Sequence, residues 1–330
     1  MGKNIAVIGS GSWGLALSNH MAELGNNVKV WSFTKEESDL INNEHKSSYL
    51  KDIKIQENVI CSNDYKEVVE NADFIFHVTP SKFSRNTFNE YKKYVGSKPV
   101  IICSKGFEDS SLSTLDKVFK DELPEVRVAT LSGPSFGAEV ANHMPTAILL
   151  SSEDNELLDE VSKLLSNETM RIYKSNDVIG VEVGGALKNV IAFCMGVAVG
   201  LEFGTNSQSA LVTRGLAEIS RLGVKMGAKS ETFFGLSGLG DLILTCSSDE
   251  SRNRRAGKLI AKGLSIEETR KEINATIESI DNIETAKKLA EKYEVDMPIV
   301  NAANEVLFNG LDPKEATKRL MTRELKFETE

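Results

Sequence analysis

The chain has 330 residues, of which 41% are hydrophobic and 26% are charged, and its formal net charge is −9. This length is enough for two domains, and the negative charge argues against nucleic acid or an anionic membrane as a general partner. The first residues lack the long apolar core and cleavage site typical of a signal peptide, and the four cysteines lie far apart without metal-ligand spacing, so we expect a cytoplasmic protein with no metal site.

Strand-like and helix-like segments alternate through the first 177 residues. Residues 3–8 and 28–31 are predicted strands, and an amphipathic helix that ends near residue 24 lies between them. Further strands are predicted at residues 74–78, 100–103, 126–131 and 147–150, with helices at 83–94 and 112–121. This alternation predicts an α/β fold with a doubly wound, mostly parallel sheet in residues 1–177.

A glycine-rich turn, Gly9-Ser-Gly11-Ser-Trp-Gly14, lies between the first strand and the first helix. In this context Gly9 permits the tight turn, Gly11 lets the backbone approach a pyrophosphate, and Gly14 lets helix and strand pack closely. Ser12 and Trp13 line the same turn, where the free N–H groups of the helix favour an anion. The turn predicts a dinucleotide site, and the alternative is a glycine turn that binds no ligand.

The second strand ends in the sequence Trp-Ser32-Phe-Thr-Lys35. A strict NAD enzyme usually carries Asp or Glu near this point to bind the ribose 2′-hydroxyl. Here that position is polar or basic, and the first acid is Glu36. The sequence therefore permits NADP and does not exclude NAD.

Two loops follow later strands of the predicted sheet. Lys105 lies in Ser-Lys-Gly-Phe after one strand, and Ser135 lies in the glycine-containing loop at residues 132–137 after the next. The carboxyl ends of strands in such a sheet face the ligand crevice, so both side chains are candidates for contact with a ligand. The alternatives are a solvated surface lysine and an ordinary turn.

Helical patterns dominate after residue 177, so we expect an all-helical second domain in residues 178–330. Asp177 is a plausible N-cap for its first helix. The predicted helices are residues 178–200, 207–226, 252–262, 283–293 and 299–308.

The long apolar stretch at residues 180–204 carries one cation in its interior, Lys188. As a helix, it places Gly184 and Gly185 one turn before Lys188 and leaves an empty volume there. Each glycine costs about 1 kcal/mol relative to alanine, so a backbone, a cofactor or a substrate must use that space. The alternative is a lysine that extends to solvent. The stretch is predicted to be a buried helix and no membrane span, because it includes Glu182, Lys188, Asn189 and Glu202.

The densest basic segment is Ser251-Arg252-Asn253-Arg-Arg. If Ser251 caps the following helix, Arg252 and Asn253 lie in its first turn and form a phosphate site with the free backbone N–H groups. Asp241 precedes this segment and could orient a lysine or accept a hydrogen bond from a substrate hydroxyl. The alternatives are surface arginines and a simple N-cap aspartate.

Together these segments resemble the bacterial NAD(P)-dependent sn-glycerol-3-phosphate dehydrogenase family over nearly the whole chain. The motifs that occur in the family's order are GSGSWG, SKGF, SGPSFGAE, GGALKNVIA, TRGLAE, GLGDLILTC and SRNRR. The resemblance implies a Rossmann domain, a helical domain, a homodimer, and interconversion of glycerol 3-phosphate and dihydroxyacetone phosphate with NADP or NAD. It also implies a role in supplying a phospholipid precursor.

The resemblance assigns roles to individual residues. It implies that Lys188 is the proton acceptor and that Lys105 and Asp241 complete the catalytic set. The implied substrate contacts are Lys105, Gly133, Ser135, Lys188, Asp241, Ser251, Arg252 and Asn253. The implied cofactor contacts are Gly9, Gly11, Ser12, Trp13, Gly14, Phe33, Lys105, Gly137, Arg252, Thr276 and Glu278. The chain departs from the family's commoner Val-Glu-Gly pattern at Glu278, where Ser279 replaces the glycine.

These assignments give a mechanism as a hypothesis. Lys188 removes the C2 hydroxyl proton during oxidation and returns it during reduction, while Arg252 and Asn253 hold the phosphate. Burial and Lys105 should lower the pKa of Lys188, and Asp241 should oppose that shift. One alternative is a related two-domain dehydrogenase of β-hydroxy acids, which does not need the basic segment. Another is a non-catalytic nucleotide sensor, which does not need a lysine, aspartate and arginine set.

Overall fold

The computed structural model describes residues 2–325 and 327–328, so residues 1, 326, 329 and 330 of the predicted domain ranges lie outside the described residues. An eight-stranded sheet occupies the N-terminal half of the described chain. Its strands are β1 (Asn4–Ile8), β2 (Asn27–Trp31), β3 (Val59–Ser62), β4 (Phe74–His77), β5 (Val100–Ile102), β6 (Val128–Ser132), β7 (Thr146–Ser151) and β8 (Met170–Ser175).

The strand order of the sheet is β3-β2-β1-β4-β5-β6-β7-β8. Neighbouring strands are parallel except β6 and β7, which are antiparallel. The order reverses between β1 and β4, and in sheets of this kind the ligand crevice lies at that point, outside the carboxyl ends of the strands. The predicted doubly wound, mostly parallel sheet is confirmed.

Two strands, β3 and β8, were not predicted from the sequence. β3 has only four residues, and β8 has the sequence Met-Arg-Ile-Tyr-Lys-Ser with mostly exposed side chains. Both lie at the edges of the sheet. Four residues are too few to show a clear period in β3, and β8 buries one residue of six and so carries little of the apolar pattern from which strands are predicted.

Helices cover both faces of the sheet, as its two separate apolar cores show. They are α1 (Ser12–Glu23), α2 (Lys35–Glu44), α3 (Tyr65–Val69), α4 (Ser84–Tyr91), α5 (Leu115–Glu122), α6 (Gly137–Ala141) and α7 (Asn155–Leu165). The single helix predicted at residues 83–94 is α4 with a short 3₁₀ turn at each end, Ser81–Phe83 and Lys92–Tyr94.

The C-terminal half of the described chain is helical. Its α-helices are α8 (Val178–Gly200), α9 (Thr205–Lys225), α10 (Asp241–Ser247), α11 (Arg252–Ala261), α12 (Ile266–Ile273), α13 (Glu278–Lys292), α14 (Pro298–Phe308) and α15 (Pro313–Met321). The five predicted helices are present within a few residues of their predicted ends, whereas the short helices α10, α12 and α15 were not predicted. Asp177 caps α8 as predicted, because its carboxylate accepts a hydrogen bond from the Gly180 N–H at 3.0 Å.

Helix α8 is the centre of this half. It packs against α9, α10, α11 and α13, and it also contacts β6 of the sheet. Among the described residues it is the one helix long and apolar enough to cross a bilayer, but 83% of its most apolar window is buried within the protein. The helix therefore forms the core on which the other helices assemble.

Helices α8 and α11 approach each other closely through two glycines. A Cβ atom on Gly196 would collide with the carbonyl oxygen of Arg254, and one on Gly257 would collide with the carbonyl oxygen of Phe193. The two backbones therefore touch directly, which fixes the first turn of α11 relative to α8.

Candidate active site

The glycine-rich turn follows β1 at the point where the strand order reverses. Gly9 has φ +128°, a conformation that a residue with a side chain rarely adopts, and a Cβ on Gly14 would collide with the Gly9 carbonyl oxygen. Gly11 is the N-cap of α1, and a Cβ there would meet no atom within 4 Å. The turn thus has the tight bend, the close helix–strand packing and the open space that a pyrophosphate needs, so these residues fit a dinucleotide.

The residues around the turn add to this fit. The indole Nε1 of Trp13 is buried and has no hydrogen-bond partner among the described residues. Gly137 begins α6, and a Cβ there would lie 2.7 Å from the Ser12 hydroxyl oxygen. The loop after β6 therefore packs against the first turn of α1.

The end of β2 offers polar and aromatic groups. The Ser32 and Ser10 hydroxyl oxygens are 2.8 Å apart, which ties the end of β2 to the glycine turn. Phe33 is 84% exposed and meets the edge of the Trp31 ring, with centroids 6.4 Å apart. Phe33 is thus free to present its ring to a ligand, but it belongs to a different strand end from the lysines described next.

Two lysines share one buried carboxylate. Asp241 is fully buried in the first turn of α10, and Gly240, not Asp241, occupies the N-cap position. One carboxylate oxygen of Asp241 accepts a hydrogen bond from Lys188, and the other accepts one from Lys105 at 2.6 Å. Lys188 also donates to the Thr245 hydroxyl at 3.0 Å. The cluster joins α8, α10 and the loop after β5.

The space beside Lys188 is filled by protein, which explains the two glycines of α8. A Cβ on Gly184 would lie 2.8 Å from the Ser237 carbonyl oxygen. A Cβ on Gly185 would lie 2.8 Å from the Ser132 hydroxyl oxygen and 3.6 Å from the stem of Lys105. The side chain of Lys188 is 9% exposed, so the alternative of a lysine that extends to solvent is wrong.

The buried position lowers the pKa of Lys188 from its usual 10.5 to about 8. Loss of solvation is the largest cause, and the positive charge of Lys105 acts in the same direction. The Asp241 carboxylate and, more weakly, Glu278 oppose the shift. A lysine with this pKa can gain and lose a proton near neutral pH.

The loop after β6 is tied to the same cluster. The Gly133 carbonyl oxygen accepts hydrogen bonds from the Lys105 ammonium at 3.0 Å and from the Ser135 hydroxyl at 3.1 Å. Gly133 has φ +144°, so this bend favours glycine. Lys105, Gly133 and Ser135 therefore lie together at the carboxyl ends of β5 and β6, as the sequence predicted.

The first turn of α11 carries the basic segment. Ser251 caps the helix as predicted, because its hydroxyl accepts a hydrogen bond from the Arg254 N–H at 3.2 Å. Arg252 is exposed, and within the described part of the chain no hydrogen bond or ion pair engages its guanidinium. An unpaired guanidinium above a helix N-terminus can bind a phosphate.

A chain of amide hydrogen bonds lies behind this turn. Asn253 donates to the Asn189 side-chain oxygen at 2.9 Å, and Asn189 donates to the Glu278 carboxylate at 2.8 Å. The side-chain oxygen of Asn253 accepts from the Ser279 N–H at 2.9 Å. Asn189 directly follows Lys188, so this chain of hydrogen bonds fixes α11 and the start of α13 against α8.

Glu278 begins α13, and Thr276 lies partly buried in the loop before it. Burial raises the pKa of Glu278, while the positive charge of Arg252 is the largest influence against that shift. Ser279, which replaces the family's commoner glycine, is fully buried, and its N–H holds Asn253. The substitution therefore leaves the amide chain intact.

Three residues of the site were not predicted from the sequence. Thr245 and Asn189 contact the residues described above, and Glu182 is a buried carboxylate on α8. Each had a signal: Thr245 lies one turn after Asp241, Asn189 follows Lys188, and Glu182 is an acid within an apolar helix. Their partners are distant in sequence, so only the fold identifies them.

A doubly wound sheet with a glycine turn at its reversal point, facing a buried lysine–carboxylate cluster, defines a dinucleotide-dependent oxidoreductase. Residues 4–158 match the family profile "NAD-dependent glycerol-3-phosphate dehydrogenase N-terminus", and residues 177–318 match the corresponding C-terminus. The chain belongs to the NAD-dependent glycerol-3-phosphate dehydrogenase family.

Individual relatives agree with this placement. The chain is 43% identical over 333 residues to a protein of Francisella tularensis subsp. novicida called glycerol-3-phosphate dehydrogenase [NAD(P)+], covering 99% of this chain and 100% of the relative. A relative of the same name from Agathobacter rectalis is 41% identical, with 98% and 97% covered. The crystal structure of a glycerol-3-phosphate dehydrogenase from Coxiella burnetii superposes with a TM-score of 0.95 at 35% identity, with 98% and 99% covered.

Proposed function

We propose that this chain interconverts sn-glycerol 3-phosphate and dihydroxyacetone phosphate with NADP or NAD. The observation that supports it most strongly is the buried Lys188, paired with Asp241 and facing the segment that carries Lys105. A buried amine with a pKa of about 8 is suited to accept a hydroxyl proton.

Lys188 is the proposed acid–base residue. In oxidation its neutral amine takes the proton of the C2 hydroxyl, and in reduction its ammonium returns that proton to the C2 oxygen. NAD(P), when bound, supplies the hydride acceptor or donor. Asp241 orients the amine, and Lys105 adds positive charge near the C2 oxygen, where negative charge develops during the reaction.

The substrate phosphate is proposed to bind at the first turn of α11. Arg252 offers a free guanidinium there, and the helix start offers backbone N–H groups. The Asn253 amide donates one hydrogen to Asn189, so its second hydrogen is the one proposed to reach the phosphate. Holding the phosphate at α11 places C2 near Lys188, and such positioning can supply a large part of the rate. The remaining proposed substrate contacts are Lys105, Gly133, Ser135, Asp241 and Ser251.

The cofactor is proposed to bind across the glycine turn, with its adenosine end near Phe33. The open space at Gly11 and the unpaired indole N–H of Trp13 support this placement. The full proposed set is Gly9, Gly11, Ser12, Trp13, Gly14, Phe33, Lys105, Gly137, Arg252, Thr276 and Glu278. We propose residues 1–177 as the nucleotide-binding domain and residues 178–330 as the substrate domain, since β8 ends at Ser175 and α8 begins at Val178.

The test is steady-state kinetics of the purified chain with dihydroxyacetone phosphate and, separately, NADPH and NADH. We expect oxidation of the reduced cofactor with this substrate and none with β-keto acids. Turnover of β-keto acids alone would favour the β-hydroxy acid alternative, and cofactor binding without turnover would favour a sensor. The unpaired Arg252 favours a phosphorylated substrate over either alternative.

The cellular setting is also part of the proposal. We propose that the enzyme is cytoplasmic and supplies glycerol 3-phosphate for phospholipid synthesis, as its family relationship supports. We propose a homodimer, because an apolar groove of about 1080 Å³ lies between α9, α14 and α15, and Met321 beside it is 80% exposed. Sedimentation analysis of the wild type and Met321→Glu tests it, since a monomer in both would contradict the dimer.

A further inference from the structure

We propose that Glu182 is a positioning residue for this reaction: its carboxylate fastens the helix that bears Lys188 to the sheet, and so sets the distance between Lys188 and the cofactor crevice. The inference rests on the proposed function. Among the described residues Glu182 makes no hydrogen bond to Lys188 or Asp241. Its proposed effect on the reaction therefore acts through the position of α8.

The Glu182 carboxylate bonds two elements of the sheet half at once. It is 5% exposed, and it accepts hydrogen bonds from the backbone N–H groups of Leu115 at 2.6 Å and Asp116 at 3.1 Å, at the start of α5. It also accepts one from the Thr130 hydroxyl of β6 at 2.7 Å. A carboxylate at a helix N-terminus is stabilised by the free N–H groups and the helix dipole.

Both elements are joined through the chain to the sheet-side residues of the site. The loop after β5, which holds Lys105, leads to α5, and β6 leads through Ser132 to Gly133. Ser132 in turn packs on Gly185, in the turn of α8 that follows Glu182. The carboxylate therefore fixes α8 against β6, whose end faces Lys188, and against the start of α5.

The hydrogen bonds of the Glu182 carboxylate depend on a precise position of α8. A buried carboxylate is costly unless its oxygens are hydrogen bonded, and here N–H and O–H donors reach both oxygens. The nearby Asp116 carboxyl faces it from α5 and lies 3.6 Å from Lys120. Since the three donors approach from fixed backbone and strand positions, α8 has one favourable placement along the sheet.

Glu218 provides a matched control. It is 1% exposed on α9 and accepts hydrogen bonds from the N–H groups of Ile299 at 2.8 Å and Val300 at 3.3 Å, at the start of α14. It is thus a buried carboxylate at a helix N-terminus, like Glu182. Both of its partners belong to the helical half, so its loss should weaken the fold without moving α8 along the sheet.

The experiment compares the full-length wild type, Glu182→Gln and Glu218→Gln. For each we measure kcat and KM with dihydroxyacetone phosphate, the Kd of the reduced cofactor, thermal unfolding, and the primary isotope effect with cofactor deuterated at the transferred position. Glutamine keeps the shape but turns one acceptor into an NH₂ group that faces a donor.

We expect Glu182→Gln to lower kcat about 10- to 100-fold, with KM and cofactor Kd nearly unchanged, and to change the isotope effect, because a displacement of about 1 Å can cost this much. Glu218→Gln should lower the unfolding temperature but keep the wild-type kcat and isotope effect. Thr130→Val, which removes one donor, should reproduce the Glu182→Gln effect more weakly and serves if Glu182→Gln does not fold.

Three results would overturn the inference. Equal kcat and isotope effects in Glu182→Gln and Glu218→Gln would make Glu182 purely structural, and wild-type kcat in Thr130→Val together with unfolded Glu182→Gln would do the same. A wild type that does not turn over dihydroxyacetone phosphate would overturn the proposed function and this inference together, and is seen before any variant is compared.

Discussion

The two regions of the candidate site hold their charges in different ways. Around Lys188 the charged groups are buried and paired with one another, whereas at the start of α11 the Arg252 guanidinium is exposed above a buried amide chain. The first arrangement sets the pKa of Lys188, because burial makes the charged form of the amine less favourable. The second leaves the Arg252 guanidinium accessible to an anionic ligand, while hydrogen bonds hold the helix that carries it in place. Substitutions around Lys188 should therefore lower kcat, and substitutions at the start of α11 should raise the substrate KM.

The largest effect is expected from Lys188→Ala. Loss of the proposed acid–base group should lower kcat by about 10³-fold, while the reduced cofactor should bind as in the wild type, because Lys188 is not among the proposed cofactor contacts. Steady-state kinetics and cofactor fluorescence measure the two quantities. Lys292→Ala, an exposed lysine on α13, is the control, and substantial turnover in Lys188→Ala would show that another group moves the proton.

The pH dependence of kcat/KM tests the pKa of Lys188 in the buried region. The proposed mechanism of oxidation requires neutral Lys188, so kcat/KM should rise as pH rises through about 8, and in the reductive direction it should fall there. Asp241→Asn should move this pH limb lower, because the carboxylate raises the pKa of Lys188, and should lower kcat about 100-fold. Lys105→Met should move the limb higher.

The surface variant Asp159→Asn is the control for these profiles and should leave the limb in place. Profiles of Asp241→Asn and Lys105→Met that shift in the same direction would contradict the assignment of the limb to Lys188.

The exposed region is tested by Arg252→Ala. A hydrogen bond to a charged group contributes about 1.5–3 kcal/mol, so the KM for dihydroxyacetone phosphate should rise about 10- to 100-fold with a smaller change in kcat. Arg255→Ala on the same helix should change KM by less than about twofold. A decrease in kcat alone would place the phosphate elsewhere.

A smaller effect is expected from Asn189→Ala, which breaks the amide chain behind α11 at a residue that is not itself a proposed phosphate contact. Loss of hydrogen bonds that contribute about 1 kcal/mol each should raise KM about tenfold through displacement of Asn253. Asn301→Ala, an exposed residue of α14, controls for loss of an amide. A wild-type KM in Asn189→Ala would show that α11 holds its place without the chain.

The parts of the site that were predictable are those built from local sequence. Gly9, Gly11 and Gly14 lie in one turn between a strand and a helix, and Ser251 directly precedes the helix it caps. Each feature is therefore formed by residues that are close together in the sequence, where a motif can reveal it. Lys188 was recognisable because a cation within an apolar helix is costly. The fold class followed in the same way from alternating strand and helix patterns.

The remaining parts depend on contacts between distant segments. Lys188 and Asp241 are 53 residues apart, and Asn189 and Glu278 are 89 apart. Nothing in the spacing of these residues shows which side chains meet. The edge strands β3 and β8 were missed for a different reason: β3 has only four residues, and β8 contains two charged residues and buries only Met170.

The direct contact between the backbones of α8 and α11 has a consequence for substrate choice. At Gly196 and Gly257 no side chain lies between the helices, so main-chain atoms set the separation of Lys188 from the proposed phosphate site on α11. Exchanging neighbouring side chains cannot lengthen that gap. A variant designed for a longer sugar phosphate would therefore need residues inserted before α11, so that the start of this helix can move away from α8.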